Sequence, residues 1–73
     1  MMNIQPGDVV IRHYAGNTLQ LIDATTNEQI AIVPTVEYAL RIAAQRDGAV
    51  WQEKADRRLG KHDLILVKPR AQS

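Results

Sequence analysis

"IAIVPTVEYALRIAAQRDGAVWQ", Ile30 to Gln52, contains the one helix signal of the chain, set between two strand signals. Ile30 to Val33 is an apolar, largely β-branched run, and it stops at Pro34, which has no N–H to offer a sheet ladder. Thr35 is suited to cap a helix, since its hydroxyl accepts from backbone N–H groups of the first turn, and Glu37 lies near the positive end of the helix dipole. Gly48 after Asp47 reads as a left-handed C-cap, so the spacing predicts a helix over Val36–Asp47. Val36, Ala39, Leu40, Ala43 and Ala44 fall on one side of that helix as its core stripe. Tyr38 and Ile42 fall on the other side, four residues apart, as a second and smaller apolar stripe.

Outward from this segment the pattern is that of short strands. Pro6-Gly7-Asp8 is turn chemistry and releases the chain into Val9 to Tyr14. Ala15-Gly16-Asn17 supplies the positive φ that a tight hairpin needs, and Thr18 to Ala24 returns as its partner. Thr25 to Glu28 turns again into Gln29 to Val33. After the helix, Ala49 to Lys54 reads as a fourth strand and Leu64 to Val67 as a fifth, closed by Pro69. The order is βββαββ. The expectation is one α+β domain over residues 1–73, a strongly curved antiparallel sheet with the helix packed on one face. Its ordered core covers residues 8–68, with flexible tails at 1–5 and 69–73.

A chain of 73 residues buries only about 60% of the surface its unfolded form exposes. Below roughly 80 residues one core rarely supplies more than about 3–5 kcal/mol, and small chains add disulfides, a metal or oligomerisation. The sequence has no cysteine, which removes disulfides and thiolate-bound zinc and fits a reducing compartment. His13 and His62 stand far apart, on different elements, so neither a metal nor another cofactor is expected. Oligomerisation is the remaining means of support.

The strand runs "VVI", "IAIV" and "LILV" are apolar at adjacent positions, hence on both sheet faces, whereas a sheet with one wet face alternates. A single three-turn helix covers one face at most. The sheet curls into a barrel-like closure, or a protein partner, foremost a second copy of this chain, covers the rest; the plainer alternative is that these short runs merely alternate imperfectly and the chain is a lone monomer. The residues expected at such an interface are Tyr38, Ile42, Trp51 and Ile65.

The net charge of +1 hides a split. Residues 1–40 set Arg12 against Asp8, Asp23, Glu28 and Glu37, a net −3. Residues 41–73 set Arg41, Arg46, Lys54, Arg57, Arg58, Lys61, Lys68 and Arg70 against Asp47, Glu53, Asp56 and Asp63, a net +4. The basic character peaks in "KADRRLGKHD", Lys54 to Asp63. The ordinary reading of such a run is a solvated hairpin tip; the alternative is a nucleic-acid contact in which Lys54, Arg57, Arg58 and Lys61 grip phosphates.

No catalytic residues are expected. His13 with Asp8 or Asp23, and His62 with Asp63, lack a nucleophile at a recognisable spacing. The four glycines are isolated, with neither a Walker loop nor a dinucleotide fingerprint. The N-terminal stretch has no basic segment followed by an apolar one, and no apolar run approaches the ~20 residues that cross a bilayer, so a cytoplasmic chain without membrane contact is expected.

The segment "TVEYALRIAAQRDGAVWQEKADRR", Thr35 to Arg58, resembles a family of short uncharacterised bacterial domains. These also run three strands, an alanine-rich helix opened by Thr, a Gly stop, and a strand followed by a basic turn. The resemblance covers Val9 to Arg58 and departs at "GNTLQL", which lacks the family's Gly-Gly-Trp, and at the extra strand after the basic turn. It implies a fold and transfers no activity and no site residues.

Overall fold

The structure, a computed structural model, describes residues 4–56 and 61–70, and of residues 55, 56, 61 and 62 the backbone alone. Five strands and one helix follow in the expected order: β1 (Val9–His13), β2 (Leu19–Asp23), β3 (Gln29–Val33), α1 (Val36–Ala43), β4 (Val50–Asp56) and β5 (Lys61–Lys68). They form one open sheet in the spatial order β3-β2-β1-β4-β5. Both edges remain, so the sheet does not close into a barrel.

The first three strands are a meander joined by turns of the expected chemistry. Gly16 takes φ 56° between β1 and β2. Between β2 and β3, the Asp23 carboxylate accepts from the Thr25 N–H at 2.9 Å and the Thr26 N–H at 3.0 Å, while Asn27 supplies a left-handed residue at φ 66°. An Asx turn of this kind lets a short side chain stand in for a backbone acceptor.

Three of the four pairings are antiparallel, and the fourth is not. β4 lies parallel to β1, with Val9 opposite Val50 and Ile11 opposite Gln52. A parallel neighbour requires a crossover, and α1 provides it, carrying the chain from one sheet edge over β2 and β1 to the far side. The antiparallel sheet expected from sequence is therefore a mixed one.

The helix opens as read, the Thr35 hydroxyl accepting from the Tyr38 N–H at 3.2 Å. It ends four residues earlier than expected, at Ala43. Tightened i→i+3 bonds follow, Gln45 N–H to the Ile42 carbonyl at 3.5 Å and Arg46 N–H to the Ala43 carbonyl at 2.9 Å. Arg46 reaches Asp23 at 3.8 Å. Ala44 is consequently an exposed cap, and Ile42, expected on the outer side, packs against the core beside Val36 and Leu40. That core joins Val9, Ile11, Leu21, Val33 and Val50 of the sheet to Ala39 and Ala43 of the helix.

Gly48 is not a left-handed cap; only Gly7 and Gly16 have positive φ among the described glycines. Its reason is a close approach. A Cβ on Gly48 would overlap the Gly7 carbonyl and stand 2.6 Å from the Asp8 nitrogen. Adding one carbon there forces the 7–8 and 48–49 segments apart, whereas Gly16 has open space around it and faces only the φ penalty. Urea denaturation should accordingly rank the variants: Gly16→Ala loses about 1 kcal/mol for its left-handed φ, and Gly48→Ala loses more, about 2–3 kcal/mol. Equal losses would contradict the close approach.

Candidate interaction surface

Asp8 precedes β1 and is fully buried. Burial of a lone carboxylate is costly, so its partners carry the explanation. Oδ1 accepts from the Ala49 N–H at 2.8 Å and from Arg70 Nε at 3.0 Å. Oδ2 accepts from the Gln5 N–H at 3.1 Å, from Trp51 Nε1 at 3.3 Å and from Arg70 Nη2 at 2.5 Å. The guanidinium thus grips both oxygens, a bidentate geometry stronger than a single point contact. Burial by itself pushes the carboxyl up in pKa; Arg70 first, then the Ala49 and Gln5 amides and the Trp51 indole, outweigh it and hold the group at about 2. Arg70, read from sequence as part of a loose tail, is anchored at the base of the sheet.

These contacts commit Asp8 to structure. Asp23 is likewise held at about 2 by the Thr26 amide, the Thr25 hydroxyl and the Thr25 amide. His13, the histidine whose side chain is described, donates from Nε2 to the Gly16 carbonyl at 2.9 Å and braces the first turn. Neither acid/base pairing considered for His13 is assembled. Among the described residues, no three His, Asp or Glu side chains converge as metal ligands, and no helix is long and apolar enough to cross a membrane.

The four residues expected at an interface do not share one surface. Tyr38 is exposed on α1, while Ile42 is half-buried beneath it. Trp51 is half-buried, tied to Asp8, on the sheet face away from the helix. Ile65 is opposite Gln52 and so faces the helix side, but beyond the reach of α1. It is 44% exposed. Leu66, opposite Trp51 on the other face, is 49% exposed and was not singled out by the sequence. Its signal was present in "LILV"; what was missing was the placement of β5 at an edge, where adjacent residues lack a neighbour on both faces.

The face away from the helix is partly lined by the chain itself. Val10 and Ile22 are buried there without α1. They floor a groove of about 280 Å³, around which stand Ile4, Leu64 and the Arg12–Glu53 ion pair at 3.1 Å. Of the basic cluster, Lys54 is exposed on β4. Arg57 and Arg58 lie outside the described residues, as does the side chain of Lys61.

No protein-family model matches the chain, and comparison with curated proteins and with solved structures returns no match.

The depressed Asp8 pKa makes stability pH-dependent with a defined sign. A carboxylate whose folded pKa lies below its ordinary 3.8 stabilises the fold fully above that value, and the contribution is lost as pH falls through about 2. Urea midpoints should fall steeply between pH 4 and pH 2, the window set by those two values. Arg70→Ala removes the largest favourable partner, raises the Asp8 pKa and flattens that slope, at a loss of about 1–3 kcal/mol at neutral pH. Asp23 titrates in the same window and supplies a remainder that Asp23→Asn removes. A slope unchanged in Arg70→Ala would refute the assignment.

Proposed function

We propose that this protein is a non-enzymatic interaction module that self-associates, and that its docking element is the outer edge of β5. One observation carries the reading: β5 is the longest strand, it is at a sheet edge, and it exposes Ile65 on one face and Leu66 on the other. An edge strand presents a row of N–H and C=O groups along its open side, and natural sheets blunt such edges with short strands, prolines or bulges. The opposite edge follows that rule. β3 has five residues, contains a register shift against β2 and runs into Pro34. β5 is eight residues long, its own bulge at Val67 and the following Pro69 are confined to its C-terminal end, and the apolar residues Leu64 to Leu66 precede them in regular pairing with β4.

Two physical needs meet at this strand. A small core gains from burial of additional apolar area, and an apolar edge strand in water is a template for strand addition. A partner strand laid along β5 serves both. The commitment of Asp8 and Asp23 to structural bonds supports a role other than acid/base catalysis.

Light scattering at tens of micromolar is expected to give a mass near twice 8.2 kDa. Leu66→Lys should weaken association about a hundredfold, one buried apolar side chain being lost from each copy. Tyr38→Ala, on the helix, should leave the mass unchanged. A protein monomeric from low-micromolar to near-millimolar concentration would sink the self-association, as would association that depends on Tyr38 and not on Leu66.

A further inference from the structure

Resting on that reading, we infer that β5 pairs with β5 of a second copy, antiparallel and about a two-fold axis, in the register set by the charges that flank its apolar run. The relevant sequence is Asp63-Leu64-Ile65-Leu66-Val67-Lys68. It places an acid at one end of four apolar residues and a base at the other. Antiparallel pairing centred on the run brings Asp63 of each copy to the Lys68 end of the other. Parallel pairing in the same register sets Asp63 against Asp63 and Lys68 against Lys68, and like charges directly opposite are destabilising.

The local geometry of β5 specifies the register further. A two-fold axis normal to the sheet keeps each residue on its own face, so opposite residues share that face. With Ile65 on the axis, Ile65 meets Ile65 on the helix side. Leu64 meets Leu66 on the other side, and the two-fold repeats that pair, giving four leucines in one cluster. Asp63 then stands opposite Val67. At this end β5 has a bulge: Trp51 pairs with Leu66 and Val50 with Lys68, which leaves Val67 as the extra residue. A bulge of this kind sets Lys68 on the same face as Val67 and the facing Asp63, within cross-strand reach. Asp63 is exposed and Lys68 half-exposed in the single chain; Lys54 stands opposite Asp63 on β4, so in the dimer each Asp63 lies between Lys54 of its own chain and Lys68 of the second copy.

The arrangement closes on itself. Each copy uses its β5 edge once, the two sheets join into one of ten strands, and the edges left outside are the two short β3 strands. An isologous contact of this type stops at two copies, whereas pairing β5 with β3 of the next copy would propagate without end. The Arg70–Asp8 contact lies just past the bulge and fixes the C-terminal end of β5.

Reciprocal charge exchange tests the register, with sedimentation equilibrium as the readout. Asp63→Lys and Lys68→Asp should each weaken dimerisation about tenfold or more, because every exchange places two like-charge pairs in the interface. The double variant Asp63→Lys/Lys68→Asp should recover the dissociation constant of the unmodified protein to within about threefold, and raised salt should shrink all three differences. Circular dichroism on each variant separates a lost interface from a lost fold. A dimer weakened by Leu66→Lys but indifferent to the exchanges, or not rescued by the double variant, overturns this register and leaves the β5 docking element in place. Larger, open-ended assemblies overturn the two-fold arrangement, and a monomer under all conditions overturns the inference together with the self-association it rests on.

Discussion

The Asp8 carboxylate is the point on which this small fold turns. A buried charge in a chain with so little core is a liability unless every lone pair is used, and here both oxygens are saturated. Its partners are far apart in sequence: Gln5 before the sheet, Ala49 and Trp51 at the start of β4, and Arg70 beyond β5. One side chain therefore fastens together the segment before β1, the segment after β5 and the arrival of the crossover. The pairing of β4 with β1 begins beside it, where the Val9 N–H meets the Ala49 carbonyl at 2.9 Å. Gly48 lets the backbone come close enough for that bond to form. A hydrophobic contact at this position would tolerate a shift of an ångström; a hydrogen-bonded carboxylate does not, and this directional demand fixes the register of the parallel pair.

Much of the fold was legible in local chemistry. The cap at Thr35, the positive φ demanded at Gly16 and the stop at Pro34 are each set by the residue concerned and its immediate neighbours, and each stands where the sequence placed it. The order βββαββ followed from such signals. The misreadings share a cause, which is distance along the chain. Gly48 looks like a helix cap because glycine after aspartate usually is one, while its actual constraint comes from Gly7, to which no local pattern points. Asp8 reads as a turn residue and Arg70 as a tail residue for the same reason. The parallel placement of β4 is a choice between sheet edges, and the apolar pattern of a strand is indifferent to which neighbour satisfies it.

The candidate surface was legible in part. That "LILV" is apolar on both faces was visible, and with it the need for cover. Which of its side chains stay exposed depends on the strand being last in the sheet, and on α1 lying over the meander and away from β5. The helix residues Tyr38 and Ile42 looked equivalent on a helical wheel. The packing of α1 against the sheet separates them, so Ile42 is half-buried against the core and Tyr38 is wet.

The crossover also shapes how the fold is reached. Three of the groups that hold Asp8 are 41, 43 and 62 positions further along the chain. The β1–β2–β3 meander closes through short loops and can form early, but it leaves the carboxylate without its guanidinium and β1 without its parallel neighbour. Loop-closure entropy must be overcome before those distant contacts give any return. The parallel pairing of β4 with β1 and the Arg70–Asp8 contact are thus the long-range part of this fold, and they raise its contact order above that of the meander alone.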